Sequence, residues 1–246
     1  MKVLICIDDT DNLESRGTGE LAENLAAEVQ SRSWGRCEFV TRHQLLVHPD
    51  VPYTSHNSSM CFAADIDEHH LPALVARAEA FLVEESAPGS DPGLAIAVLE
   101  RLSDAAALID FGQRAKQVVL NKQDAYDLAA AHGIHLSEHG GTGHGVIGAL
   151  AGIGLRISGN DGRIKGWLDI PNRDGVAKVA DILTRFDLGG VRTMNGELLA
   201  EDDLVAVGEK PKTVFLAGKP YLMVSPVPDA GTVRWQTSSR RELKQY

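Results

Sequence analysis

An unbroken apolar run, Val3-Leu4-Ile5-Cys6-Ile7, gives way without transition to Asp8-Asp9-Thr10-Asp11. So short an apolar run suits a strand buried on both faces, and the polar residues mark its exit. From Glu20 to Ser31 the period changes. Leu21, Leu25 and Val29 recur at i, i+4 and i+8, the stripe of a helix packed on one side. Phe39 to Val47 and Met60 to Ile66 read as strands, and the second leads into a helix from about Leu71 to Glu84. Leu94 to Leu99 is a further strand. Ser103 to Leu120 and Asp124 to His132 are helical in pattern, and a short extended piece, Ile134 to Ser137, precedes a glycine-rich segment and an apolar helix from Val146 to Ile153.

The pattern restarts at the turn Gly159-Asn160-Asp161-Gly162. A strand from Ile164 to Ile170, a helix from about Gly175 to Phe186, and strands around Leu204 to Val207, Thr213 to Leu216 and Tyr221 to Val224 follow, with turns at Lys210-Pro211 and Gly218-Lys219-Pro220. Paired strands crossed by helices predict an α+β or mixed α/β fold rather than a strict βαβ repeat. The division predicted is a first module over 1–158, a small α+β unit over 159–228, and a basic, flexible tail over 229–246 that carries Arg234, Arg240, Arg241 and Lys244.

Composition changes this picture little. A chain of 246 residues with 43% hydrophobic and 24% charged residues describes an ordinary globular protein. No apolar run approaches the roughly 18 residues of a membrane span, and the amino terminus has no basic-then-apolar leader, so the expectation is a cytoplasmic protein with no membrane partner. Cys6, Cys37 and Cys61 are far apart and mostly in apolar settings, as packing thiols are. The net charge of -10 argues against broad attraction for nucleic acid and leaves room only for a local basic face.

Charge matters most at the first strand's exit. Three carboxylates within four positions repel one another, which is tolerable chiefly when a divalent cation sits among them. Asp8, Asp9 and Asp11 are therefore candidate ligands of Mg2+, and Asp8, Asp9 and Thr18 are candidate catalytic groups. The plain alternatives are an acidic turn that favours the following helix N-terminus, and a helix cap at Thr18. Thr10 and Gly17 flank these positions and join them as nucleotide contacts.

A second motif is His139-Gly140-Gly141-Thr142-Gly143-His144-Gly145-Val146-Ile147-Gly148. Glycines let a backbone approach an anion closely, and the amides at the start of the next helix can hold phosphate oxygens. Gly140, Gly141, Thr142, Gly143, His144 and Gly145 are thus read as a phosphate cradle, against a simple packing turn. Gly143 to Gly148 also fits GxGxxG, but its place in mid-chain after a poor strand disfavours a dinucleotide site. His132, His135, His139 and His144 lack the spacing of a zinc site. The polar turns Pro52 to Ser59 and Gly89 to Gly93 supply Asn57 as a further nucleotide contact and Asp91 as a weaker candidate, while Tyr53 can either pack or stack on a base.

Taken in order, IDDTD, the hydroxyl and glycine segment at Thr18, an HPxxPY turn reaching Asn57, the turn at Pro92-Gly93 and GxGxxGALAxxG resemble the archaeal agmatinylcytidine synthetase of isoleucine tRNA. The resemblance covers residues 1 to about 155. It implies a kinase-like module followed by a ferredoxin-like unit, with ATP and Mg2+ as cofactors. By position, Asp8, Asp9 and Asp11 would hold the metal, Thr18 would match a hydroxyl that the family's module phosphorylates on itself, and Gly140 to Gly145 would cradle the nucleotide. The family's OB-fold and zinc ribbon have no counterpart here, and the basic residues of its PYKTRGNG turn are missing from Thr54 to Asn57. The expectation is an ATP- and Mg-dependent phosphotransferase or ligase whose acceptor, a small molecule or an RNA such as tRNA, stays open. A shortened chain can complete its site with a second copy. A metal-dependent phosphohydrolase and a non-catalytic nucleotide sensor are the alternatives.

Overall fold

The computed structural model describes residues 1–51, 57–228 and 231–246. Tyr53 and the rest of the turn at 52–56 lie outside the described residues. The chain divides into two compact units, Met1–Ser158 and Gly159–Tyr246, and each is mixed α/β, as the alternating periodicity predicts.

The first unit runs β1 (Lys2–Asp8), α1 (Thr18–Ser31), β2 (Gly35–Cys37), β3 (Thr41–Gln44), β4 (Ser58–Ile66), α2 (Leu71–Glu85), β5 (Gly93–Val98), α3 (Ala105–Arg114), α4 (Lys122–Ala131), β6 (His135–Glu138) and α5 (Gly145–Ser158). Its sheet has the order β6-β5-β1-β4-β3, with β2 beside the far end of β4. All its ladders are antiparallel. A strict βαβ repeat, disfavoured by the sequence pattern, is not what forms this sheet. The antiparallel register Asp8↔Gly93 sets the exit of β1 beside the entrance of β5 instead.

Strand parity sorts β1 onto two cores. Val3, Ile5 and Ile7 pack with Leu21, Leu25 and Phe62 on the α1/α2 face. Leu4 and Cys6 pack with Leu108, Leu150 and Ile153 on the α3/α5 face. Asp8 continues the second series, so the period of two aims its carboxylate toward α5. Full burial of Leu150, Ile153 and Leu155 contributes about 1.5–3 kcal/mol for each side chain.

That burial requires α5 to come unusually close to its neighbours. A β-carbon on Gly154 would lie 1.9 Å from the Leu108 carbonyl oxygen of α3, and one on Gly152 would lie 2.3 Å from Cys6 Sγ. At the helix start, a β-carbon on Gly145 would meet the Asp91 carbonyl oxygen at 2.0 Å. The glycines along 143–154 are thus used mainly for helix–sheet and helix–helix contact.

Several boundaries differ from expectation. The helix expected to reach Leu120 ends at Arg114, after which 115–120 form turns that leave Val118 and Val119 about half exposed. The strand expected over Phe39 to Val47 is only Thr41–Gln44. In the second unit the elements are β7 (Arg163–Ile164), β8 (Val176–Lys178), α6 (Val179–Arg185), β9 (Gly190–Thr193), β10 (Leu204–Ala206), β11 (Thr213–Leu216), β12 (Lys219–Pro226) and β13 (Trp235–Thr237). The helix expected from Gly175 gives its first turn to β8, because Val176 to Lys178 pair with β10. The strand expected over Ile164 to Ile170 shrinks to β7.

The tail is the clearest correction. Residues 231–246 are not a free end: β13 pairs parallel with β10 and antiparallel with β12, and Leu243 is fully buried against Val214 and Met223. Trp235 and Leu243 supply the apolar area that the basic composition masked. Among the described residues, no helix is long and apolar enough to cross a membrane.

Gly154→Ala tests the packing of α5. Alanine improves intrinsic helix propensity by about 1 kcal/mol, yet the overlap with the Leu108 carbonyl should reverse the sign and leave a net loss of about 1–3 kcal/mol, read as a lowered urea midpoint at unchanged slope.

Candidate functional site

The exit of β1, the turn before β5, the start of α5 and the turns after α3 enclose one cavity of about 860 Å3, including its open mouth. Asp8, Asp9, Asp11 and Asp91 form its acidic side, with Thr18 beside them. His144, Gly145 and Gly148 close it at the helix start. Leu46, Val51, Val118, Val119 and Ile147 make an apolar wall opposite.

Asp8 is 7% exposed and faces α5 directly: a β-carbon on Gly148 would stand 1.7 Å from its Oδ2. Burial, then the charge of Asp9, pushes its carboxyl well above the ordinary carboxylate range. The backbone turns left-handed at Asp9, with φ of 50°, a conformation Asp accepts better than most side chains. Burial first, then the charges of Asp91 and Asp11, raise Asp9 to about 6. Among the described residues, no Lys, Arg or His pairs with Asp8 or Asp9.

Thr18 opens α1 but does not cap it; Gly17 holds that position and has no side chain to do so. The Thr18 hydroxyl donates to Asp11 Oδ1 at 2.9 Å, and it accepts from the Thr10 hydroxyl at 3.1 Å and the Thr10 amide at 3.4 Å. Thr10 is buried behind the wall and supports Thr18 without reaching the cavity. Asn57 lines the cavity, but its Nδ2 donates to the Leu46 carbonyl at 2.6 Å, so its amide fixes the apolar wall.

Part of the glycine turn is already engaged within the unit. Asp91 Oδ1 accepts from the Gly143 amide at 2.5 Å, and its Oδ2 accepts from the His144 amide at 3.0 Å and the Thr142 hydroxyl at 2.6 Å. Two of the turn's amides, those of Gly143 and His144, are therefore occupied by a carboxylate of the same unit. Lys122 braces the turn from the other side, donating to the Thr142 carbonyl at 2.9 Å and Glu138 Oε2 at 3.0 Å. Gly140, Gly141, Thr142 and Gly143 do not line the cavity; His144 and Gly145 do. Ser137 links His135 and His139 on β6 at 3.1 and 2.8 Å, away from the cavity wall.

Two features were at most faintly legible in the sequence. Asp91 sits in a turn where an aspartate is commonplace, and only its contacts with residues about fifty positions later reveal its role. The Val118-Val119 wall was concealed inside a helix pattern; the two adjacent β-branched residues are the one local sign that the helix stops.

The donor set suits a hard cation. Among the described residues no three His, Cys, Asp or Glu side chains are gathered as a ready-made metal site, but Mg2+ commonly takes only one or two carboxylates and completes its shell with water and substrate phosphates. No Lys or Arg appears among the described lining residues, so a polyphosphate entering this cavity needs its charge neutralised by a cation.

No protein-family model matches the chain, and no curated relative matches it. Solved structures do. A tRNA fluorescent labelling enzyme and TiaS in complex with isoleucine tRNA and ATP each align over 63% of this chain and 36% of their own, at 28% identity and a TM-score of 0.55. TiaS, a tRNA agmatidine synthetase, in complex with tRNA, AMPCPP and agmatine aligns over 88% of this chain at 20% identity and a TM-score of 0.55, which is a likeness of fold. The chain spans 36 to 52% of the length of these proteins.

Charge repulsion at the site predicts a stability gain on neutralisation. The Asp9 pKa is raised on folding, so its penalty is absent below about pH 4 and complete above about pH 6. The span from 3.8 to about 6 sets a ceiling near 3 kcal/mol, which solvent screening of this partly exposed group reduces to about 1 kcal/mol. Asp9→Asn, measured without divalent metal, should therefore raise stability by that amount at pH 7.5 and by almost nothing at pH 4. Asp91→Ala should act oppositely: removing a charge-assisted acceptor from two backbone amides and a hydroxyl should cost about 2–4 kcal/mol and make the bonds between Gly140 and Gly145 sensitive to limited proteolysis.

Proposed function

We propose that this protein is an ATP-using, RNA-modifying ligase of the kind its structural neighbours represent, with residues 1–158 as the nucleotide-binding and phosphoryl-transfer module. One observation carries this reading: four aspartates, the start of α5 and an apolar wall surround one cavity, with no Lys or Arg among its described lining residues. The apolar wall suits a base and sugar, and the acidic side suits a metal-bound triphosphate.

In this reading Asp8, Asp9 and Asp11 are the residues that would hold Mg2+. The ion, when bound, neutralises charge on the phosphates and favours departure of the leaving group. Asp8 is fixed by burial against Gly148, so it sets the ligand geometry, while Asp9 and Asp11 lie on the turn that follows. His144 presents a side chain at the mouth, and the first turn of α5 adds a positive dipole end toward the phosphates. Val118 and Val119 exclude water from the base side.

Thr18 is the proposed primary phosphoryl acceptor. Its hydroxyl already donates to Asp11, which can take the proton as the threonine oxygen bonds to the γ-phosphorus and the bond from that phosphorus to the β,γ-bridging oxygen breaks, releasing ADP. Asp11 thereby couples metal binding to activation of the hydroxyl. The phosphoryl group then passes to an oxygen of the RNA acceptor, and the freed threonine is ready for a second cycle.

Incubation with γ-labelled ATP and Mg2+ tests the reading. Label should remain on the wild-type protein and be absent from Thr18→Ala, while Thr18→Ala retains ATP binding within about tenfold, since one hydroxyl contact is worth about 0.5–1.5 kcal/mol. Asp8→Asn should weaken Mg-dependent ATP binding by tenfold or more, as loss of a charged ligand to a metal costs about 1.4 kcal/mol at least. Unchanged calorimetric affinity in Asp8→Asn would overturn the assignment of the site.

A further inference from the structure

The turn between β6 and α5 decides which nitrogen of a cavity-lining imidazole carries hydrogen. Asp91 uses both carboxylate oxygens as acceptors, because the amides of Gly143 and His144 can only donate to them. Thr142 has one hydroxyl proton, and it is directed at Asp91 Oδ2, 2.6 Å away. The same hydroxyl oxygen stands 2.5 Å from His144 Nδ1. With its proton engaged by the carboxylate, that oxygen can only accept from the ring, so Nδ1 carries a hydrogen and donates it. The neutral imidazole therefore keeps its lone pair on Nε2. Asp91, Thr142 and His144 form a relay in which a carboxylate orients a hydroxyl and the hydroxyl fixes the tautomer of a histidine, a task the carboxylate of a hydrolase triad performs directly. His144 lines the cavity, and 59% of its side chain is exposed there.

The two-step transfer proposed above calls for two bases. Asp11 takes the Thr18 proton in the first step and returns it in the second, as the threonine oxygen leaves phosphorus. It cannot also serve the incoming acceptor. In-line displacement places that acceptor on the far side of phosphorus from Thr18, so its base has to come from another element. Few described lining residues qualify. Asp8 and Asp9 are committed to the metal in this reading, Asp91 already accepts from three donors, and the Asp50 side chain is 78% exposed beside His48. His144 remains.

We propose that His144 Nε2 is the general base of the second transfer and that the acceptor offers it a hydroxyl. The acceptor oxygen gives its proton to Nε2 and bonds to phosphorus. The bond from phosphorus to the Thr18 oxygen breaks, and that oxygen recovers the proton held by Asp11. The imidazolium then releases its proton to water. Thr142 and Asp91 are positioning residues. The charged groups that face the ring are Asp91, whose Oδ2 is 4.0 Å from Nδ1, then Lys122 and Glu138, which brace the other side of the turn, and Asp8, Asp9, Asp11 and Asp50 in the cavity lining. The inference rests on the phosphothreonine step proposed above. It narrows the acceptor to a compound with an O–H, since a carbonyl oxygen has no proton to lose.

Heteronuclear NMR of the histidine ring nitrogens at about pH 8, with the His144 signals assigned by their loss in His144→Gln, reads the tautomer without ATP. The Nδ1–H form is expected; a majority of the Nε2–H form would overturn the relay. The transfer is read separately. Full-length protein labelled from γ-labelled ATP is freed of nucleotide and chased with Mg2+ and glycerol as the probe hydroxyl, and the rate constant for loss of label is independent of how much label each variant acquired. Transfer to glycerol and transfer to water both count. His144→Gln should slow that loss about a hundredfold or more. The wild-type rate should climb between about pH 6 and pH 8, because the base acts in its neutral form, and the profile of His144→Gln should lack that climb. Titration of Asp9 is common to both proteins, so the difference between the profiles belongs to the ring. Thr142→Val should slow the loss about 2- to 10-fold, as one hydrogen bond is removed, and Thr142→Ser should restore it. A wild-type rate and profile in His144→Gln would overturn this inference and leave the labelling of Thr18 standing. A wild-type protein that takes no label at Thr18 would overturn both.

Discussion

The side-chain-free crossing of α5 over the strand ends is the constraint on which the first unit depends. Gly148 against Asp8, Gly152 against Cys6, Gly154 against Leu108 and Gly145 against the backbone of Asp91 are four contacts at distances no β-carbon tolerates. They allow a fully buried helix to lie on an antiparallel sheet and α3 at once. They also explain how a carboxylate can be buried at the end of β1. Asp8 faces a wall of the cavity that is held in place, because the helix behind it is locked by the same contacts that form the core. Geometry at the site is thus inherited from packing.

Parts of this arrangement were legible in the sequence for a physical reason. Val3 to Ile7 followed by Asp8 to Asp11 forces a buried strand with a polar exit, since no other placement hides the first group and hydrates the second. The helix periods at Leu21-Leu25-Val29 and from Leu71 to Glu84 were equally local, and α1 and α2 follow them closely. Mixed α/β class followed from the same alternation.

What could not be read depended on distant partners. The glycine turn carries the composition of a phosphate loop, but whether its amides face a ligand is decided by Asp91, some fifty residues earlier in the chain. The antiparallel direction of the first sheet is likewise a tertiary fact, and it sets the exit of β1 beside the entrance of β5. The last residues looked like a solvated tail because Arg240, Arg241 and Lys244 outweigh Leu243 in composition. In the fold one fully buried leucine and a three-residue strand tie them down.

The grip of Asp91 on the glycine turn has a consequence of its own. A backbone amide carries a single proton, so Gly143 and His144 can serve one acceptor at a time. Any anion that took them would have to evict the carboxylate, leaving the Asp91 charge without its donors beside Asp9. Loop and acidic side thus share one carboxylate, and neither can be changed without the other.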